Sequence, residues 1–240
     1  MIGLANVDDE TLGWPGEFMR RLFHNHGLTI VLVGLFLFSI VGQSVAGWLA
    51  YNDEQRDHAQ STVSLPEYLV TGDFVESVFE NWESEFLQMG VYVLLTAFLH
   101  QKGSAESKSL DDDDAVDEDP RSVADRKGVP WPVRHGGFVL TAYEHSLSLA
   151  LLGLFAVSFL LHAAGGARAY SQDALLHGGE AVSLFGYLAT ARFWFESFQN
   201  WQSEFLSIAT VVILSIFLRE RGSPESKPVA APHHQTGEAA

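Results

Sequence analysis

The sequence predicts an all-α integral membrane protein with four transmembrane helices, arranged as two tandem, parallel two-helix repeats related by pseudo-twofold symmetry. Three observations carry that prediction. Asn81-Trp82-Glu83-Ser84-Glu85-Phe86-Leu87 returns 119 residues later as Asn200-Trp201-Gln202-Ser203-Glu204-Phe205-Leu206, and the offset holds without a gap from about His26 and His145 to Lys108 and Lys227. The chain is 47% hydrophobic and 12% aromatic yet only 18% charged. Its long charge-free runs are joined by short polar connections, and the basic residues gather at one set of ends.

Residues 1–21 form a polar lead that ends in Arg20-Arg21. The first repeat, residues 22–108, opens with 24 charge-free positions from Leu28 to Tyr51. At ~1.5 Å per residue such a helix crosses a hydrocarbon core of ~30 Å. A cleaved leader is the competing reading, because Arg20-Arg21 precedes the run and the small Ser44-Val45-Ala46 within it resembles a cleavage site. The run is longer than a leader core, and its duplicate, Leu147 to Ala167, is internal, so a retained helix is expected.

A polar connection from Asn52 to Ser64 follows, and then one apolar, aromatic element from Leu65 to Leu99, with Pro66 suited to a first helical turn. Its charge-free part, Phe86 to Leu99, is 14 residues, too short to span alone. A crossing of ~20 residues must begin near Glu80. This places Asn81, Trp82, Ser84 and Glu85 at or just below the membrane surface. Residues 109–137 form a linker whose acids, Asp111 to Asp114, Asp117, Glu118 and Asp119, dominate the net charge of −16 and read as an unfolded, solvated spacer. Residues 138–227 repeat the two-helix pattern, with Leu184 to Leu218 as the second element, and residues 228–240 read as a disordered tail.

Arg20, Arg21, Lys102, Lys108, Arg126, Lys127, Arg134, Arg219, Arg221 and Lys227 flank the helices at the termini and linker, whereas the short connections hold fewer basic residues. By the positive-inside rule, both termini and the linker are cytoplasmic and the protein is a multi-pass protein of the cell membrane, the inner membrane in a bacterium.

Helical spacing puts Asn81, Ser84, Glu85, Gln88 and Tyr92 on one face, and Asn200, Ser203, Glu204 and Ser207 on the matching one. Polar groups in hydrocarbon need protein or water partners, so both faces are expected to turn inward. Trp82 and Trp201 suit an interfacial aromatic belt. Glu85 and Glu204 are read as interhelical hydrogen-bond acceptors that pin the repeats together, with proton or cation handling as the alternative. Glu80 and Glu83 become Gln199 and Gln202 in the copy, which reads as tolerance of charge loss.

Two histidine pairs offer further ligands. His26 and His145, equivalent under the repeat, match paired haem ligands on facing helices. His58 and His177, among Asp and Glu in the two connections, match a divalent metal but fit no closed zinc spacing. The expectation from the sequence is that neither pair binds a cofactor. Small residues at Gly34 and Gly153, Gly47 and Gly166, and the Gly165-Gly166 edge allow close helix approach. Each repeat closes with a similar tail, Lys102-Gly103-Ser104-Ala105-Glu106-Ser107-Lys108 and Arg221-Gly222-Ser223-Pro224-Glu225-Ser226-Lys227, where Gly is a plausible helix stop and a cytoplasmic partner is a candidate occupant.

The run from Glu80 to Met89, followed by an apolar stretch and the Lys102 to Lys108 tail, resembles an uncharacterised bacterial four-helix membrane-protein family known only as a domain of unknown function. The resemblance covers about Arg20 to Lys227, and it implies membrane location but no activity, substrate or catalytic residue.

No cysteine is present, so disulfides, thiolate metal sites and cysteine nucleophiles are excluded. The acidic balance argues against nucleic acid. No phosphate loop, Gly-x-Ser-x-Gly elbow or His-Glu-x-x-His occurs, and no enzymatic activity is expected. The expected partners are the lipid bilayer and a second copy or another membrane protein. The sequence therefore predicts a structural or assembly protein of the membrane. The alternative is a small proton- or cation-coupled translocator or channel built on Glu85 and Glu204, and the third reading is a haem- or metal-binding membrane protein.

Overall fold

The computed structural model describes residues 15–110 and 115–237. Every regular element among them is helical. The chain divides into two compact units, residues 1–69 and 70–240.

The first unit contains α1 (Pro15–Asp57) and α2 (Leu65–Tyr68). Helix α1 extends the expected Leu28 to Tyr51 run at both ends and breaks locally at His26, where φ is −132° and ψ 15°. The return from α1 to α2 is held by the buried Asn52 amide. Asn52 Nδ2 donates to the Val63 carbonyl at 2.9 Å, and Asn52 Oδ1 accepts from the Val63 N–H at 2.7 Å. The indole of Trp48 donates to the same carbonyl at 2.7 Å. The α2 start is capped by the Glu67 carboxylate, which accepts from both the Ser64 N–H and its hydroxyl. Tyr68 then lies over Gly47 and against the Tyr51 ring, a close approach that a side chain at position 47 would block.

The second unit contains α3 (Gly72–Phe98), two 3₁₀ turns (Ala115–Asp117 and Pro120–Val123), α4 (Trp131–His135), α5 (Gly137–Glu144), α6 (Ser146–Leu176), α7 (Leu184–Leu188) and α8 (Ala191–Leu214). The expected single element from Leu65 to Leu99 is therefore two helices. The first ends at Tyr68 with Leu69 as its cap, and Thr71 caps the second by accepting the Phe74 N–H at 3.3 Å. Thr190 does the same for α8 through the Phe193 N–H at 3.3 Å. The return from α6 to α7 repeats that of the first unit, with Ser171 in the place of Asn52 accepting the Val182 N–H at 3.0 Å. His145, at φ −109° and ψ 13°, breaks α5 from α6 as His26 breaks α1. Asp111 to Asp114 of the linker lie outside the described residues, and the segment expected to be unfolded beyond them holds the two 3₁₀ turns and α4.

Among the described residues, two helices are long and apolar enough to cross a membrane, Met19–Asp57 within α1 and Ser146–Leu176, which is α6. Large apolar side chains along them are open, among them Phe38 at 78% and Leu147 at 60% exposure. Helices α3 and α8 are long enough in residues, but they carry the carboxylates.

Helices α3 and α6 run antiparallel and touch backbone to backbone. A Cβ on Gly165 would stand 2.5 Å from the Glu76 nitrogen, and one on Gly72 would stand 2.6 Å from the Ala169 nitrogen. Further along, Gly90 faces Leu152. The small-residue edge at Gly165 and Gly166 therefore serves two approaches, α3 on one side and the Tyr187 ring on the other. Helix α8 runs parallel to α3, with Asn200 beside Glu80 and the Glu204 carbonyl beside Gln88. Ala163, Ala167, Tyr187 and Phe193 form the buried cluster between α6, α7 and α8, with Phe159, Tyr170, Val182, Leu184 and Leu188 around it.

The two similar tails are turns. Gly103 and Gly222 adopt φ of +87° and +88°, a left-handed conformation that favours glycine. Ser107 Oγ accepts the Gln101 N–H at 2.9 Å, and Ser226 Oγ accepts the Glu220 N–H at 2.9 Å. Ser104 and Glu106 pair as Ser223 and Glu225 do, hydroxyl to N–H, at 3.1 Å each. The kept residues are thus those that the turn's own hydrogen bonds need.

Lys227, only 1% exposed, donates to the carbonyls of Gly103, Pro232 (3.3 Å), His233 (3.1 Å) and Gln235 (2.8 Å). Burial holds its ammonium below the ordinary lysine value. Residues 228–237, expected to be disordered, are instead tied to the first turn through Thr236 Oγ1, which accepts the Gly103 N–H at 2.8 Å, and through the Gly237 N–H, which donates to the Ser104 carbonyl at 3.0 Å.

Two outcomes follow from this packing. Gly165→Ala should cost about 1–3 kcal/mol by forcing α3 and α6 apart, and Gly153→Ala, which meets nothing within 4 Å, should be neutral; detergent melting curves of the pair check this. Lys227→Met should strip the buried carbonyls of their donor, cost about 2 kcal/mol and open residues 228–237 to limited proteolysis. Lys108→Met, which loses only the 2.7 Å pair with Asp117, should leave the cleavage pattern unchanged.

Candidate functional site

Glu83 is the most enclosed carboxylate of the second unit. It reaches from α3 to both neighbouring helices: Oε2 lies 3.0 Å from His162 Nδ1 on α6, and Oε1 accepts the Trp201 indole N–H from α8 at 3.2 Å. The Glu83 and His162 side chains are both 0% exposed. Gly72 and Gly165 make this reach short, because no side chain separates α3 from α6 at these two close approaches, about three turns from Glu83 and one turn from His162.

A carboxylate at Nδ1 puts the hydrogen of His162 on that nitrogen and aims Nε2 the other way. Nε2 is buried and has no hydrogen-bond partner among the described residues. Glu196 Oε2, at 3.8 Å, is too far for a hydrogen bond. One face of the ring is covered by Phe193, with centroids 4.9 Å apart, and Phe159 meets Phe193 edge to face at 5.2 Å.

Tyr187, delivered by the short helix α7 and seated against Gly166, completes the group. Its hydroxyl lies 2.8 Å from Glu76 Oε1 on α3 and 2.6 Å from Glu196 Oε2 on α8. Burial first, and then its carboxylate neighbours, raises Tyr187 above the usual phenol value, so it keeps its proton. A phenol has one hydrogen and here two carboxylates within reach, so the trio needs one further positive charge, proton or metal, between its oxygens. Arg192 Nε donates to the other oxygen of Glu196 at 2.8 Å and opens toward the start of α8. Asn200 donates to Glu80 beside the cluster. Glu76, His162 and Glu196 each offer one ligand atom, and all three atoms lie within 4.8 Å of one another.

The residues expected from the sequence distribute around this network. Ser84 and Gln88 are buried, whereas Asn81 and Glu85 are exposed and Glu204 is half-buried. Ser84 bonds the Asn81 carbonyl at 2.7 Å, Ser203 the Asn200 carbonyl at 2.8 Å and Ser207 the Glu204 carbonyl at 2.8 Å, so these hydroxyls serve their own helix. Gln88 crosses to the Glu204 carbonyl at 3.3 Å. Asn81 donates back to Ser77 and Asn200 to Glu196, each along its own helix. Trp82 packs on Phe79 at 5.1 Å, and Trp201, read as an interfacial ring, carries the donor to Glu83.

The histidines of the connections are exposed. His58 Nδ1 lies 3.0 Å from the Glu54 carbonyl, and His177 Nδ1 lies 2.9 Å from the Asp173 carbonyl and 3.3 Å from its carboxylate. His26 and His145 are exposed residues at helix breaks.

Sequence reasoning passed over His162, Glu76, Glu196, Tyr187 and Arg192, and it read Glu83 as tolerant of charge loss. One signal was present: His162 is the only ionisable residue in the Leu147 to Ala167 run, and an ionisable group inside a span marks a functional candidate.

No curated protein and no solved structure matches the chain. A family described as a domain of unknown function (DUF6766) matches residues 19–238, nearly the full length, and the chain belongs to that family.

Proposed function

We propose that the protein is a non-enzymatic structural or assembly protein of the cell membrane, crossing the bilayer four times as two tandem two-helix repeats, with both termini and the acidic linker on the cytoplasmic side. The observation that carries the reading is Glu83, buried between His162 and Trp201 on two other helices. A bilayer offers no hydrophobic drive between helices, so small-residue contact and interhelical polar bonds do the joining, and α3, α6 and α8 have both. The apolar surfaces of α1 and α6 suit lipid. Helices α3 and α8, of 27 and 24 residues, complete the four spans in this reading. The exposed side of α8, with Phe195, Phe198 and Leu206, suits a second copy or another membrane protein as partner.

The translocator alternative rests on Glu85 and Glu204, and the two readings separate by experiment. Glu83→Gln should lower stability in detergent by about 2 kcal/mol, between the ~1–2 of interhelical polar contacts in membranes and the ~3–5 of a broken buried pair in water. Glu85→Gln with Glu204→Gln should stay within about 0.5 kcal/mol of wild type and leave vesicle cation and proton leak unchanged. Loss of a measurable flux in that folded double variant would replace the structural reading with the translocator.

A further inference from the structure

We propose that His162 Nε2, Glu76 and Glu196 form a binding site for one divalent ion of the zinc class, with Tyr187 beside it and Glu83 as the carboxylate that orients the histidine.

The geometry is already close to a coordination shell. Bonds of ~2.0–2.1 Å place tetrahedral ligand atoms about 3.4 Å apart. Nε2 and Glu196 Oε2 stand 3.8 Å apart, and the widest separation of the three ligand atoms is within 4.8 Å. Carboxylate rotation closes the remainder without moving a helix, and the Tyr187 oxygen or a water supplies the fourth position.

The histidine is set as a metal ligand is set. Its Nδ1 faces a carboxylate, which fixes the tautomer and the ring plane and raises the basicity of Nε2. Nε2 itself is buried, without a hydrogen-bond partner among the described residues, and stands 3.8 Å from Glu196 of α8, with Glu76 of α3 in the same group. The large majority of buried side-chain polar atoms have a protein or water partner, so an open Nε2 calls for an occupant.

Charge points the same way. Glu76, Glu80 and Glu83 on α3 and Glu196 on α8 converge here, against Arg192 and the one imidazole. A divalent ion supplies the positive charge that the Tyr187, Glu76 and Glu196 trio requires. One imidazole with two carboxylates favours a borderline ion over Mg²⁺ or Ca²⁺, which take all-oxygen shells. Access lies at the start of α8, where the Glu196 side chain is 15% and that of Arg192 48% exposed.

The inference goes beyond the structural reading, and its test separates the two. Full-length protein, purified through a tag free of histidine and stripped with chelator, is titrated with Zn²⁺ and with Co²⁺ in detergent, with Mg²⁺ as comparison. The expected result is one Zn²⁺ per chain by elemental analysis, visible d–d bands with Co²⁺, and no competition from Mg²⁺. Glu76→Gln keeps an acceptor for Tyr187 and so should fold, yet bind Zn²⁺ at least about 10- to 100-fold more weakly, because losing a ligand costs no less than losing the outer partner of one. His162→Gln should abolish the Co²⁺ bands, and Glu85→Gln should change nothing. Absence of Zn²⁺ and Co²⁺ binding to folded wild-type protein overturns the site, as does binding that Glu76→Gln and His162→Gln leave unaltered. Either result would leave the stabilising role of Glu83 standing.

Discussion

The structure of the second unit depends on one constraint: a carboxylate and an imidazole, Glu83 and His162, are both withdrawn completely from solvent at the meeting of three helices. Each is costly to bury alone, and each is the other's partner. The neighbouring features follow from it. Gly72 and Gly165 bring α3 and α6 into backbone contact so that the pair can form, Trp201 satisfies the second carboxylate oxygen from α8, and Phe193 covers the ring. The short helix α7 then has a fixed task, to set Tyr187 between Glu76 and Glu196.

The glycine turns were legible in the sequence, whereas the returns and caps were not read from it although the duplication repeats their causes. Asn52 and Ser171 hold the same return, Thr71 and Thr190 cap the same helices, and Gly103 and Gly222 turn the same corner. Each device is a local hydrogen bond or a φ requirement within a few residues, which is what a sequence pattern encodes. The break after Tyr68 was missed because the apolar run continues through it; only Thr71-Gly72 marks it.

The site was much less legible, and the reason is physical. Its carboxylates and its histidine stand where the copies differ, although Tyr187 and Trp201 match Tyr68 and Trp82. His162 corresponds to Gln43, Glu76 to Phe195, Glu196 to Ser77 and Glu83 to Gln202. Reading repetition as the mark of importance leads to Glu85 and Glu204 and away from these positions. The face of α3 was also set slightly off. The polar stripe through Asn81, Ser84, Glu85 and Gln88 is real in spacing, but the buried face passes through Gly72, Glu76, Glu83 and Gly90, so Ser84 and Gln88 lie on its margin and Glu85 falls outside. Periodicity gives the width of a helical face; its rotation is decided by the partner helix, here by the glycines of α6.

The claim that Glu83 and His162 act as one unit is tested most directly by a double-mutant cycle, with Glu83→Gln, His162→Gln and the combined variant unfolded in the same detergent. A coupling energy of about 1.5 kcal/mol or more is expected, because either single change leaves a buried partner unmatched and the second change then costs little. Losses that simply add, within about 0.3–0.5 kcal/mol, would contradict it and reduce the pair to two neighbouring but independent residues.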